Sequence, residues 1–417
     1  MIVEGFTKIN NTAQENLGLL AKRIPRQLGD IHKQNFIRRE IVEKLFPEQR
    51  DNMLHYFETL LISMRNHGAS DIEIGGPGVN GQIWLRVQGV KHPVVEWGRM
   101  GVNETNIFLQ SILQPEQRDI LFRDKAVDFS YTVSLGDQLY RHRATAYFEL
   151  GELSLNLRAI NTHIRPFADY DFHYNVTRLL NLAHSRQGLV LITGITGAGK
   201  STTLDSIIDL NNRSVEAHIV IIASPIEFIH TSNRSIIRHR EVGIDTHSFK
   251  AGTIEALRQD PDAIIIGEMR DSSTIMAALE AADTGHKVFS TLHTASATES
   301  IDRIIAEMPP GEQDRVRNRL ADVLTCVVSQ QLVPGINRRL VLAREIMVMS
   351  PPIRSAIKNR NTSEIYQMIT EGQKYGMTTM EQDLHQLAQT GRISMESAYT
   401  YANRKRRMQQ LLKGKSF

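Results

Sequence analysis

The hydrophobic positions in the first part of the chain follow short patterns. Apolar residues recur at helical spacing over residues 53–64, and GASDIEIGGPG (68–78) then combines a helix stop, a short strand and a turn. Alternation of apolar and polar residues, typical of strands with one buried face, follows in three stretches, residues 83–87, 126–133 and 143–150. These patterns predict a small α+β domain over residues 52–165, preceded by a polar N-terminal extension over residues 1–51.

Later in the chain the apolar residues form continuous runs instead. Four of them are GLVLIT (188–193), HIVIIA (218–223), AIIIG (263–267) and KVFSTL (287–292). Such runs are expected of strands that are buried on both faces of a parallel sheet. Helical stretches such as residues 272–282 separate them, which predicts an α/β domain with a mostly parallel sheet over residues 172–417. The segment RPFADYD (165–171) is predicted to link the two domains.

Composition narrows the function classes. The chain is 41% hydrophobic and 23% charged, as expected for a packed globular protein. Its 49 basic and 46 acidic residues give a net charge of +3, which is too small to indicate a nucleic-acid partner. No apolar run is long enough for a transmembrane segment, and the N-terminus lacks the pattern of a secretory signal. The single cysteine, Cys326, excludes an internal disulfide, and we expect a cytoplasmic protein.

The segment GITGAGKS (194–201) matches the phosphate-loop pattern G-x-x-x-x-G-K-[ST] at every fixed position. A predicted strand precedes it and a predicted helix follows it, which distinguishes it from a chance glycine-rich turn. Glycines let backbone N–H groups approach phosphates, and the helix N-terminus and a lysine add positive charge. The predicted ATP-binding residues are Gly194, Ile195, Thr196, Gly197, Ala198, Gly199, Lys200, Ser201 and Thr202.

The metal side of such a site needs an oxygen ligand besides the Ser201 hydroxyl. Glu268 follows the apolar run that ends at Gly267, and a carboxylate there is expected beside the phosphate-loop strand. It could hold Mg²⁺ through water. Taken alone, a glutamate after an apolar strand is equally consistent with a solvated strand end.

Three further segments resemble one family, the type II/type IV secretion ATPases. RQDPDAIIIGEMRD (258–271) resembles the family's Walker B segment, TGHKVFSTLHT (284–294) its histidine box, and SPIEFIH (224–230) the second half of its aspartate box. With the phosphate loop, these segments cover about 100 residues in the family's order. The resemblance implies a RecA-like P-loop domain preceded by a PAS-like domain.

Within this family the likeness is closest to the pilus retraction ATPases of the PilT type. It rests on residues 301–324, 329–334 and 351–358, and on the lack of the tetracysteine element that the extension motors carry. The resemblance implies a homohexamer that hydrolyses ATP with Mg²⁺. It also implies a cytoplasmic location beside the inner membrane, with a pilus or secretion platform protein as the partner.

The resemblance also assigns roles to residues. It makes Glu227 the general base and Glu268 the metal ligand, although sequence spacing alone leaves these two roles interchangeable. It makes His286 and His293 sensors that detect the γ-phosphate and pass its state to the subunit interface. Three arginines of the first domain are implied contacts to that phosphate, and their alternative is a solvated strand face: Arg141, Arg143 and Arg158.

The aspartate box departs from the family pattern. It normally reads E-D-P-I-E, whereas this chain has Ala223 and Ser224 at the first two positions and keeps Glu227 at the last. Ser at the second position also fits the Dot/Icm-type secretion ATPases. Besides a pilus motor, the sequence is therefore consistent with a Dot/Icm-like secretion ATPase or with a weakly hydrolysing, nucleotide-gated scaffold. The near-neutral charge counts against a nucleic-acid translocase.

Overall fold

A computed structural model describes residues 2–87, 89–136, 138–160, 163–337 and 339–414. Residues 1, 88, 137, 161–162, 338 and 415–417 of the predicted domains therefore lie outside it. The chain divides into two compact units, Met1–Thr162 and His163–Phe417. Residues 1–51, predicted as an extension, supply Leu17, Ile37 and Ile41 to the buried core of the first unit. The predicted division into an extension (1–51), a first domain (52–165) and a second domain (172–417) stays a prediction.

The first unit contains a six-stranded antiparallel sheet in the order β3-β2-β1-β6-β5-β4. The strands are β1 Ala69–Gly75, β2 Trp84–Val87, β3 Val90–Pro93, β4 Ala126–Leu135, β5 Gln138–Glu149 and β6 Glu152–Ala159. The helices are α1 Ile2–Ala21, α2 Asp30–Phe36, α3 Pro47–Asn66, α4 Val102–Ile112 and α5 Pro115–Asp124, with a π-helical segment at Ile37–Ile41. This arrangement confirms the predicted small α+β fold.

The second unit contains a seven-stranded sheet in the order β13-β12-β7-β11-β10-β8-β9. Its strands are β7 Gly188–Thr193, β8 His218–Ala223, β9 Ile236–Glu241, β10 Ala263–Ile266, β11 Lys287–Leu292, β12 Leu324–Pro334 and β13 Leu340–Val348. Every neighbouring pair is parallel except β12 and β13. The predicted mostly parallel sheet is thereby confirmed.

Helices cover both faces of this sheet, because alternate residues of its strands enter different cores. Leu189 and Leu191 of β7 belong to one core, whereas Val190 and Ile192 belong to the other. The helices are α6 Tyr174–Leu180, α7 Lys200–Ser214, α8 Phe249–Ala256, α9 Ser272–Asp283, α10 Ala297–Ala306, α11 Gln313–Val323, α12 Pro351–Lys358, α13 Ile365–Glu371, α14 Met380–Gln389, α15 Met395–Tyr401 and α16 Lys405–Leu412. Within the described ranges, no helix has the length and apolarity needed to cross a membrane.

The strand order places the sequence motifs at one edge of the sheet. The carboxyl ends of β7, β11, β10 and β8 follow one another, about 4.8 Å apart, because all four strands are parallel. Ligand sites of open parallel sheets form at this edge. The phosphate loop, the end of the histidine box, the Walker B segment and the aspartate box therefore form a row.

Candidate functional site

The phosphate loop has a backbone that requires glycine. Gly194 has φ 151°, and a Cβ atom there would lie 2.4 Å from the Gln330 carbonyl oxygen. Gly197 and Gly199 have φ values of 81° and 82°, in the left-handed region that other residues rarely adopt. The Gln330 side chain on the neighbouring β12 donates a 2.8 Å hydrogen bond to the Ala198 carbonyl. The loop is therefore held in shape by its own glycines and by the next strand.

The loop leads directly into the N-terminus of α7. This helix begins at Lys200, and its N-cap, Gly199, makes no side-chain capping hydrogen bond. The N–H groups of a first helical turn have no partners within the helix and are well suited to bind an anion. Ser201 and Thr202 are exposed in that turn, and Ile195 and Thr196 are exposed on the loop before it.

Lys200 lies over the loop and is nearly buried. Its Nζ donates to the carbonyls of Gly194, at 2.8 Å, and Ile195, at 3.2 Å, and lies 3.4 Å from Nδ1 of His293. Burial lowers the pKa of Lys200, while the carboxylates of Glu268 and Glu227 act in the opposite direction. The lysine charge is therefore within electrostatic reach of both predicted acidic residues.

Glu268 lies at the carboxyl edge of the sheet, but two strands away from the phosphate-loop strand. The expectation that it lies beside the phosphate-loop strand is wrong, because β11 separates β10 from β7. The Glu268 carboxylate is 2.7 Å from Nε of Arg270 and 3.7 Å from Nε2 of His293. His293 at the end of β11 thus bridges Lys200 and Glu268. Burial and the Lys200 charge lower the pKa of His293, which favours the neutral imidazole at pH 7.

The aspartate box follows β8, on the far side of Glu268. Its last residue, Glu227, is exposed and makes no hydrogen bond or ion pair within the part of the chain that the structure describes. The backbone N–H of Ile226 donates to the buried carboxylate of Glu241, at 3.3 Å. Ala223 faces the Walker B segment, since a Cβ on Gly267 would lie 3.3 Å from the Cβ of Ala223.

His286 occupies the opposite edge of the sheet. It precedes β11, and its carbonyl accepts a 3.0 Å hydrogen bond from Gly188, the first residue of β7. Its Nδ1 lies 3.1 Å from the Thr284 hydroxyl. The six-residue strand β11 separates it from His293 by about 20 Å. The expectation that the pair senses the γ-phosphate and passes its state to the subunit interface stays a prediction, in which only His293 lies near the phosphate loop of its own subunit.

The three predicted arginines lie on β5 and β6 of the first unit. Arg158 is held in an ion pair, with its Nε 2.8 Å from the nearly buried carboxylate of Asp71. Arg141 donates a 2.7 Å hydrogen bond to the Ser130 hydroxyl. Arg143 is exposed and has no ion-pair partner among the residues described. Of the three, only Arg143 has an uncommitted guanidinium group.

Several positioning residues were missed from the sequence. Arg270 pairs with Glu268, and Arg303 donates a 3.2 Å hydrogen bond to the His293 carbonyl. The buried His230, in the aspartate-box segment, lies 3.1 Å from Asp205 on the phosphate-loop helix. Arg270 follows Glu268 within the Walker B segment, so its charge was a usable signal. Arg303 and Asp205 carry no comparable sequence signal.

Ser201 and Glu268 could hold a metal ion only together with the phosphates of a bound nucleotide. The Ser201 hydroxyl and the Glu268 carboxylate are oxygen donors of the type that Mg²⁺ prefers. Within the described ranges, no group of three or more His, Cys, Asp and Glu side chains is arranged to hold a metal. Two protein oxygens suffice for Mg²⁺, because it usually keeps water and substrate phosphate oxygens as its other ligands.

Known proteins share this architecture. The family model for type II/IV secretion system proteins matches residues 48–414. A twitching motility protein of Neisseria gonorrhoeae is 38% identical over 302 residues, which cover 72% of this chain and 79% of the relative. A crystal structure of the pilus retraction motor PilT with bound ADP matches with a TM-score of 0.76 at 34% identity, covering 85% of this chain and 98% of PilT. An X-ray structure of the Legionella pneumophila ATPase DotB matches with a TM-score of 0.67 at 27% identity, covering 83% of this chain and 95% of DotB.

These similarities establish the fold of the chain and the family to which it belongs. They confirm the predicted RecA-like P-loop domain preceded by a smaller PAS-like domain. They also confirm the predicted likeness to the pilus retraction ATPases. The family model spans most of the sequence and includes the whole row of motifs at the sheet edge. The chain therefore belongs to the type II/IV secretion system protein family, whose ATPases include the pilus retraction motor PilT.

Proposed function

We propose that this protein is a homohexameric ATPase motor that couples ATP hydrolysis to the retraction of a type IV pilus. The observation that carries the proposal is the row at the carboxyl edge of the sheet. There Lys200, His293, Glu268 and Glu227 follow in strand order, and the Lys200 charge is within electrostatic reach of the other three. The similarity to proteins named for pilus retraction and twitching motility supports the role.

ATP binds through the phosphate loop in this proposal. The free N–H groups at the start of α7 and the Lys200 ammonium surround the β- and γ-phosphates. Lys200 already makes two hydrogen bonds to loop carbonyls, so its ammonium lies within the loop. Phosphate oxygens would replace those carbonyls as stronger, charged acceptors.

Ser201 and Glu268 would hold Mg²⁺, which neutralises the charge that develops on the phosphates. Glu268 is suited to this role rather than to activating water, because Arg270 and His293 hold its carboxylate in place. Glu227 is exposed and unpaired, so it can accept a hydrogen bond from a water molecule and orient it toward the γ-phosphate. The structure thus favours one assignment of the two acids that spacing had left interchangeable.

A ring would complete the site with residues from the first unit. Arg143 is the best candidate for a γ-phosphate contact, since its guanidinium is exposed while that of Arg158 is paired with Asp71. An arginine that reaches the phosphate only with ATP bound would convert hydrolysis into domain movement. The partner in this proposal is an inner-membrane platform protein, reached from the cytoplasmic side.

One second candidate has its own support. Ser224 in the aspartate box and the likeness to DotB fit an ATPase of a Dot/Icm-type secretion system. Both candidates hydrolyse ATP. One drives pilus retraction, and the other drives a Dot/Icm-type secretion system.

Pilus retraction distinguishes the two candidates. The chain would be expressed in a bacterium that has type IV pili but lacks its own retraction ATPase, with Lys200→Ala as the matched control. We expect the native chain, and not the control, to restore twitching motility. Light scattering with Mg²⁺ and a non-hydrolysable ATP analogue is expected to show a hexamer. A hexamer that hydrolyses ATP but restores no twitching in a strain that carries its cognate platform protein would favour the secretion candidate.

A further inference from the structure

The first unit contains a partly open cavity of about 230 Å³, lined by residues that precede the phosphate-loop motifs in the chain. Its walls come from helix α3 and from the hairpin formed by β4 and β5. Leu61, Ile62, Val133 and the exposed Leu135 form the apolar part of the lining. Leu61 and Val133 are fully or almost fully buried, and Ile62 is half-buried. The cavity therefore offers an apolar surface large enough for a short hydrocarbon chain.

The polar part of the lining contains His142, which is completely buried. Among the residues described, neither Nδ1 nor Nε2 of its ring makes a hydrogen bond of good geometry, and only a weak contact to the Tyr131 backbone favours its protonated form. A buried imidazole without well-placed partners costs stability, because its donor and its acceptor have both lost water. Burial and the nearby Arg65 charge lower the pKa of His142 to about 4, so the ring is neutral at pH 7. The neutral ring has one N–H donor and one acceptor.

Arg65 adds an uncompensated positive charge to the same cavity. Its guanidinium lies 4.1 Å from the centre of the Tyr140 ring, and one Nη donates a 2.9 Å hydrogen bond to the Ile160 carbonyl. Its Nε has no hydrogen-bond partner in the described part of the chain. Among the residues described, no carboxylate pairs with it and none lines the cavity. A half-buried arginine without an anion is suited to bind a carboxylate through two hydrogen bonds.

The geometry points to a binding site for a small organic carboxylate, with its charged group on Arg65 and His142 and its apolar body against Leu61, Ile62 and Val133. The site belongs to the first unit, whereas the phosphate loop belongs to the second. It lies on the inner face of β5, because alternation along a strand turns His142 to the side opposite its neighbours Arg141 and Arg143. An occupant would therefore pack beneath the strand that carries the predicted phosphate contacts.

Calorimetric titration of the full chain with hexanoate tests this inference. Excess ADP with Mg²⁺ would keep the phosphate loop occupied throughout. We expect a dissociation constant of about 1 mM, the scale set by so small a ligand. Arg65→Gln is expected to weaken binding by at least about tenfold, because the charge-assisted hydrogen bonds are lost. Ile62→Trp, which fills the cavity from its half-buried rim, is expected to abolish binding.

Arg50→Gln is the matched control. Arg50 is also half-buried in the first unit, donates to one backbone carbonyl and has an unpartnered Nε, but it does not line the cavity. This variant is expected to bind hexanoate as the native chain does. Thermal unfolding of each variant would show that the fold is kept, and Ile62→Trp provides a second, uncharged change should Arg65→Gln fail to fold.

Neutral and inorganic probes define the ligand class. The inference predicts that 1-hexanol and inorganic phosphate each bind at least about tenfold more weakly than hexanoate, since each lacks one half of the match. Absence of hexanoate binding up to about 20 mM would overturn the inference. Equal binding by Arg65→Gln, or phosphate binding as tightly as hexanoate, would overturn it as well.

Discussion

The two edges of the parallel sheet carry the same residue types in different surroundings. At the carboxyl edge, Lys200 lies within reach of two carboxylates and next to His293. At the amino edge, Lys287 is completely buried and its Nζ donates a 2.9 Å hydrogen bond to Ser185, while His286 bonds to the end of α9. Burial lowers the pKa of Lys287 to about 8. The position of a residue along a parallel strand, more than its type, therefore decides whether it can take part in chemistry.

The largest expected effect separates the two lysines. Lys200→Ala should lower ATP turnover by at least about three orders of magnitude, because the phosphates lose their main counter-charge. Lys287→Met, the matched change at the other edge, should leave turnover within about twofold, since Lys287 contacts no part of the site. A phosphate-release assay on both variants checks this, and undiminished turnover by Lys200→Ala would remove the basis of the proposed site.

The second-largest effect is expected for Glu227→Gln. We expect ATP binding to be unchanged and turnover to fall by about two orders of magnitude, the usual scale for a lost general base. Calorimetric titration with a non-hydrolysable ATP analogue measures the binding part. A parallel collapse of binding would show that Glu227 has a metal-binding or structural role instead.

The two histidines give the most direct contrast between the edges. His293→Ala should lower turnover by about tenfold, because it removes the side chain that bridges Lys200 and Glu268. His286→Ala should change the turnover of an isolated site by less than about threefold, since it faces the amino edge. Equal losses in the two variants, measured at saturating ATP, would mean that His286 acts through a neighbouring subunit.

The smallest expected effect concerns the aspartate box. Ala223→Glu combined with Ser224→Asp should change turnover by no more than about tenfold, or ~1.4 kcal/mol in the barrier. A glutamate at position 223 would face Gly267, next to Glu268, where the added charge can either strengthen the metal site or raise the pKa of a neighbouring carboxylate. Phosphate release at several Mg²⁺ concentrations separates these two effects.

Much of the second unit could be predicted from its hydrophobic pattern. Burial on both faces leaves a continuous apolar run, so the bounds of β7, β8 and β11 could be predicted from the sequence alone. The edge strand β9, IIRHRE, was missed because it is partly exposed and charged, with no clear apolar pattern. In the first unit, β6 was missed although its leucines alternate, since it follows β5 after a two-residue turn.

The candidate site was predictable where a motif fixes the backbone, and less so where it depends on strand order. The glycines of the phosphate loop require their conformation whatever surrounds them. Glu268 was placed beside the wrong strand because sequence does not show that β11 inserts between β7 and β10. The separation of His286 from His293 could have been foreseen, since seven residues in extended conformation span about 20 Å or more.

ATP hydrolysis by the native chain is what distinguishes a motor from a scaffold. The decisive measurement is steady-state phosphate release by the purified oligomer with Mg²⁺ and saturating ATP, with Lys200→Ala as the background. We expect slow turnover clearly above that background, lowered about a hundredfold by Glu227→Gln. A native chain indistinguishable from Lys200→Ala would contradict the motor role, above all if Ala223→Glu with Ser224→Asp then made hydrolysis fast. The protein would in that case be a nucleotide-gated scaffold built on a motor fold.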